Sequence, residues 1–159
     1  MTEEEYKASY YLDMINILNK AEGLMQLHES QNSEKVKSAI RELIAIYYSK
    51  PFISSNRAYT KEDGSKYRPH KLTMEEIKFS KKESKLHEII FDWRNGYVAH
   101  SDQEKREQDF KLEKNGDGRV VGFEGMSNSS IMPLFDFNFE LLKVNITKIK
   151  NFLLGRIYS

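Results

Sequence analysis

Apolar residues spaced three and four apart govern what this chain can become. From about Thr2 to Glu29 they fall at Tyr10, Tyr11, Met14, Ile15, Leu18, Ala21, Met25 and Leu27, with Lys and Glu residues between them. Side chains return to one side of an α-helix every ~3.6 residues, so this spacing predicts a helix with one apolar face. Val36, Ile40, Leu43, Ile44 and Tyr47 repeat the period. Their helix is bounded by a turn, "ESQNSE", in which Asn32 or Ser33 can cap, and by Pro51. Leu86, Ile89, Ile90, Trp93 and Tyr97 form a third stripe. It predicts a helix to about His100, although Gly96 weakens it locally by ~1 kcal/mol relative to alanine. Leu134, Phe137, Leu141, Leu142, Val144, Ile149, Phe152 and Leu153 predict a last helix from about Pro133 to Ile157.

Start signals agree with these segments. Thr2 with Glu5, Thr73 with Glu76 and Ser80 with Glu83 each have the spacing of a capping box, in which two side chains satisfy the free N–H groups of a first turn. The last two leave two arrangements open: one helix from Thr73, or a short helix followed by a longer one from about Lys81. Between the last two helices, "DFKLEKNGDGRVVGFEG" alternates apolar and polar residues on either side of a glycine-bearing turn at Gly116 to Gly118, which predicts a small β-hairpin. The expected fold is all-α: a four- to five-helix up-and-down bundle, residues 1–159 as a single domain, with the hairpin inserted before the last helix.

Composition narrows the chemistry. The 159 residues include 25 Lys plus Arg against 24 Asp plus Glu, a net charge of +1, so any contact with a polyanion must come from a local patch. The absence of cysteine excludes disulfides, thiolate nucleophiles and cysteine-held zinc. The first residues lack the basic-then-apolar layout of a secretory signal, and no apolar run approaches the ~20 residues that span a bilayer. A cytoplasmic protein without a membrane partner is the expectation. Of the four histidines, His28, His70, His87 and His100, none has a metal-ligand spacing with a carboxylate, so no metal and no cofactor are expected.

Two stretches hold the candidate site. Residues 50–72 form a long polar connection in which Arg57, Lys66, Arg68 and Lys71 alternate with Phe52, Tyr59 and Tyr67. Basic side chains with aromatic neighbours suit phosphate and base contacts, making these four cations candidate RNA ligands. The plainer alternative is a solvated loop whose aromatic residues pin it to the core. The second stretch, "FDWRNGYVAHSD", ends the third apolar stripe and brings Arg94, Asn95 and His100 close in sequence. Arginine presents a planar fork of donors to phosphate, and histidine exchanges protons near neutral pH. Along a straight helix the two are ~9 Å apart in rise and point to different sides, so one copy meets a single phosphate only if the helix breaks near Gly96. Two copies about a two-fold axis can interleave the pairs. The plainer alternative pairs Arg94 with Glu88 or Asp92 and leaves His100 as a helix-end donor.

"RNGYVAHSD" resembles the motif of the HEPN superfamily, an arginine and a histidine separated by four to six residues. Here five residues, Asn95 to Ala99, lie between them. "LHEIIFDWRNGYVAHSD" is similar to the helix end of HEPN proteins near the abortive-infection group, and "YYSKPF", Tyr47 to Phe52, also looks like that group. The resemblance implies a helical bundle, a homodimer and a metal-independent endoribonuclease acting in phage defence or as a toxin, with an antitoxin or regulatory protein as a possible further partner. It gives His100 the general acid or base role, Arg94 the stabilisation of the pentacoordinate phosphate, and Asn95 the orientation of the scissile phosphate or of the histidine. The products would carry 2′,3′-cyclic phosphate or 3′-phosphate ends. Asp102 stands where the toxin branch paired with nucleotidyltransferases has a tyrosine, so control by modification at that tyrosine is not implied. Many members of that superfamily are not demonstrated nucleases, and some bind RNA or nucleotides or serve as dimerisation or regulatory modules. A catalytically silent module that binds RNA, a nucleotide or a protein partner is therefore the alternative function.

Overall fold

The computed structural model describes residues 2–53, 58–95, 111–114, 120–124 and 138–158. The fold is an all-α bundle with a small antiparallel hairpin ahead of the last helix. Helix α1 spans Glu3–Glu29 and α2 spans Glu34–Ser49, and Lys50–Phe52 continues α2 as a 3₁₀ turn. Strands β1 (Tyr59–Thr60) and β2 (Lys66–Tyr67) follow, then α3 (Met74–Ile77) and α4 (Lys81–Trp93). Strands β3 (Lys111–Lys114) and β4 (Val120–Glu124) precede α5 (Phe139–Ile157).

The predicted starts are formed. Thr2 and Glu5 exchange hydrogen bonds across the first turn of α1, and Ser80 and Glu83 do so at α4. Of the two candidate caps for α2, Ser33 is the one used, its hydroxyl accepting from the Val36 N–H. The region after Thr73 is two helices. Lys78 takes a left-handed conformation, φ 55°, which stops α3 before Ser80 starts α4. Asn138 caps the described start of α5 by accepting from the Leu141 N–H. The predicted stretch from Pro133 to Phe137, the turn at Gly116 to Gly118, and the end of the third helix from Gly96 to His100 lie outside the described residues.

Helix α5 runs antiparallel to α1. Phe139 at its start lies against His28 near the end of α1, while Lys150, further along, reaches back to Glu22 and Asn19. The core is built from Tyr10, Tyr11, Met14, Leu18, Ala21 and Met25 of α1, Ile40, Ile44, Ala45 and Tyr48 of α2, Ile90 and Trp93 of α4, and Leu142, Ile146, Ile149 and Leu153 of α5. Several stripe residues do not join it: Leu27, Val36, Leu43 and Val144 are exposed. Polar groups take their share of the interior instead, notably Arg41, Ser49, His87 and Asn145. Periodicity fixes that a face is apolar, but the angle at which neighbours pack decides which part of that face is covered.

The described residues of the connection at 50–72 include a short hairpin. β1 and β2 pair antiparallel, Tyr59 opposite Tyr67 and Thr60 opposite Lys66, around a turn whose Gly64 has φ 81°. In the second hairpin Leu112 is opposite Phe123 and Lys111 opposite Glu124, with an irregularity between Glu113 and Lys114. Among the described residues no helix is long and apolar enough to cross a membrane.

Candidate functional site

Arg94 is delivered by α4. The Ser80–Glu83 capping box starts that helix, and buried His87, Ile90 and Trp93 hold its inner face against the core. At its end the Arg94 N–H bonds to the carbonyls of both Ile90 and Phe91, and Arg94 and Asn95 lie in a wider π-type turn. Such insertions re-aim side chains at functional sites more often than elsewhere. One terminal nitrogen of the Arg94 guanidinium, Nη1, donates to Asn95 Oδ1 at 2.8 Å. The Arg94 Nε–H is buried with no acceptor among the described residues. Neither Glu88 nor Asp92 pairs with Arg94 among the described residues; both carboxylates are exposed. The guanidinium is therefore half-buried and oriented by an amide, with its charge uncompensated by either neighbouring carboxylate. Leaving a buried donor unsatisfied costs ~1–3 kcal/mol, and an observed orphan of this kind is a reason to look for a missing acceptor. His100 lies outside the described residues.

The structure divides the candidate RNA ligands. Lys66, Arg68 and Lys71 are exposed and engage no carboxylate among the described residues, whereas Arg57 lies outside them. The aromatic residues near these cations are turned to internal work. Tyr59 stacks on Tyr6 with centroids 5.2 Å apart, and Tyr67 meets Tyr6 edge-on at 6.4 Å. Lys61 binds Glu3 at 2.5 Å, which holds its ammonium group above the ordinary lysine range. The hairpin is thus pinned by its tyrosines and Lys61 to the acidic first turn of α1. Lys66, Arg68 and Lys71 stay exposed along the same connection. The 3₁₀ turn links the end of this connection to α4: the Leu72 N–H donates to the Pro51 carbonyl, and the Phe52 ring lies 6.5 Å from Phe91. No direct contact joins Arg94 to Lys66, Arg68 or Lys71 among the described residues.

Two histidines are withdrawn from chemistry. His87 is buried inside an aromatic box, its ring 4.5 Å from Phe52 and stacked 5.5 Å from Phe91. Burial pulls its pKa down to about 4. The neutral ring then accepts at Nδ1 from the Tyr48 hydroxyl, 3.0 Å away. Burial pushes the Tyr48 phenol well up, so it stays protonated. Asn145 Nδ2 donates to the same hydroxyl at 3.2 Å and to the Glu83 carbonyl at 3.1 Å. His28 is lowered by burial and by the Arg41 cation, and its Nε2 accepts from Arg41 Nη1 at 3.0 Å. With that lone pair occupied, His28 is not free to act as a base. The signal in the sequence for the buried network is slight: Asn145 interrupts the otherwise apolar run of Leu142, Ile146 and Ile149. No group of three or more His, Asp or Glu residues able to hold a metal occurs among the described residues.

Comparison with family models, with curated proteins and with solved structures returned no match to this chain.

Proposed function

We propose that this chain is a metal-independent endoribonuclease of the HEPN type that works as a homodimer, in phage defence or as a toxin. The observation that carries the proposal is the Arg94–Asn95 arrangement: a guanidinium with no carboxylate partner among the described residues, held by an amide at the end of α4, in the sequence "RNGYVAH". In the proposed reaction an RNA 2′-hydroxyl attacks its own 3′-phosphorus and the P–O5′ bond breaks. The products are a 2′,3′-cyclic phosphate and a 5′-hydroxyl. His100 carries the proton from the nucleophile or to the leaving oxygen, and Arg94 stabilises the charge that accumulates on phosphorus oxygens. Asn95 keeps the guanidinium pointed. Lys66, Arg68 and Lys71, with Arg57, hold the RNA backbone.

Cleavage of a mixed RNA pool in EDTA tests this. The wild-type chain is expected to cleave, and Arg94→Ala and His100→Ala are each expected to lose ~10²-fold or more. Arg94→Lys is expected to restore little, because an ammonium lacks the planar fork. Cleavage that persists in both variants sinks the pair. The partial burial of Arg94 favours a second reading, a non-cleaving module that binds RNA, a nucleotide or a protein partner. A folded wild-type dimer that binds RNA without cutting it is the outcome that selects this second reading.

A further inference from the structure

Helix α2 has an apolar face wider than the bundle covers. Ile40, Ile44, Ala45 and Tyr48 are buried in the core. In the row beside them, turned toward solvent, Val36, Ala39 and Leu43 are exposed, with Ile46 and Tyr47 half-buried along the same line. Val36 and Leu43 each keep more than two-fifths of their surface in water, at 42% and 41%. The steps from 36 to 39, 43 and 46 alternate three and four, the spacing by which one helix seats against another. The stripe contains no charge until Lys50 ends it.

The charges along the edge of the stripe indicate the occupant. Glu34 already faces Lys37 and Arg41. Lys35 and Glu42 lie together on one edge, exposed, and engage no partner among the described residues. They are seven residues apart, about 10 Å along the axis, too far to pair with one another within a helix. A two-fold axis at Ala39, perpendicular to α2, runs the second helix antiparallel and brings the same edge of each copy together. Lys35 of one copy then lies beside Glu42 of the other, and the pairing is repeated by symmetry. Val36 packs near the second copy's Leu43, and alanine at the crossing point lets the backbones approach.

We infer that the outer face of α2 is a self-association surface, in which two copies of this chain cross antiparallel at Ala39, flanked by reciprocal Lys35–Glu42 ion pairs. This names the face for the homodimer of the proposed function, yet it stands without ribonuclease activity.

The test is the mass of the full chain in solution, by light scattering and sedimentation equilibrium, with circular dichroism to establish folding. The wild type is expected to be a dimer. Leu43→Glu is expected to be a folded monomer, and Lys35→Glu, which sets two carboxylates face to face, is expected to weaken association at least about tenfold. The double variant Lys35→Glu with Glu42→Lys is expected to regain the dimer, a rescue that only reciprocal pairing explains. A wild-type chain that is monomeric at every soluble concentration overturns the inference and leaves the stripe to a different protein. A dimer unmoved by Leu43→Glu also overturns it, by placing the interface elsewhere. None of these residues belongs to the Arg94–His100 segment. A dimer of the expected behaviour that does not cleave RNA therefore counts against the ribonuclease and leaves this surface intact.

Discussion

Lys78 is the non-glycine residue in the left-handed region among the described residues, with φ 55° and ψ 53°. It separates α3 from α4, and its position fixes Phe79 beside His87. A side chain with a Cβ pays ~1–2 kcal/mol in this conformation, and glycine pays far less. Lys78→Gly is therefore expected to raise stability by up to ~1 kcal/mol, after the greater freedom of glycine in the unfolded chain is set against it. A shift of the urea midpoint to higher concentration with an unchanged slope would bear this out. Asn145 makes the opposite case. Its Nδ2 faces the Glu83 carbonyl, which can only accept, so the orientation of the amide is fixed by its partner. Asn145→Asp replaces that donor with an acceptor in a fully buried position. A loss of ~3 kcal/mol or more is expected at neutral pH, shrinking on acidification as the protonated acid regains a donor. Equal losses at both pH values would argue against this account.

At the scale of elements, α4 is where local and long-range forces meet. Its start is written locally: Ser80 and Glu83 are three residues apart and satisfy each other's backbone N–H groups. Glu83 Oε2 also receives Lys148 of α5 at 2.7 Å, so one carboxylate both caps a helix and ties it to its neighbour. Ser80→Ala is expected to cost ~1 kcal/mol, the usual worth of a cap, measurable as a drop in chemical stability with the helical signal retained. The capping boxes at Thr2, Thr73 and Ser80 were legible in the sequence because both partners lie within one turn. So was Arg94 with Asn95, adjacent residues at a helix end. The Tyr48–His87–Asn145 network was not, because its members are brought together across three helices, Tyr48 and Asn145 being 97 positions apart. The exposure of Val36 and Leu43 is hidden for a related reason. They share the period of Ile40 and Ile44, and only the packing of α1 and α4 decides which of the two rows is covered. The short β1–β2 hairpin escaped because two-residue strands carry no alternation to detect.

The whole molecule stores an acid sensitivity in its interior. His87 is neutral in the folded state, with a pKa that burial lowers to about 4 from 6.5, while the unfolded chain binds its proton at the ordinary value. Between those two pH values the unfolded state holds more protons, so stability must fall as pH falls through this window. A drop from 6.5 to about 4, at about 1.4 kcal/mol per unit, makes the His87 contribution on the order of 3 kcal/mol. His28 adds to the loss with the same sign, since burial and Arg41 lower its pKa too. Glu83 acts later. Lys148, then the Ser80 N–H, hold its carboxyl below the ordinary range, so its contribution is complete above the unfolded carboxylate pKa of ~4.3 and disappears as pH falls below it. Urea unfolding of the wild type across this range is expected to show a steady decline beginning near pH 6.5 and steepening near pH 4. His87→Phe separates the two phases. It removes the acceptor of the Tyr48 hydroxyl and lowers the plateau at neutral pH, yet it should flatten most of the decline above pH 4. A variant whose slope matches the wild type would show that His87 is not the group being protonated. A flattened slope would assign the decline between pH 6.5 and pH 4 to one imidazole and the aromatic box that buries it.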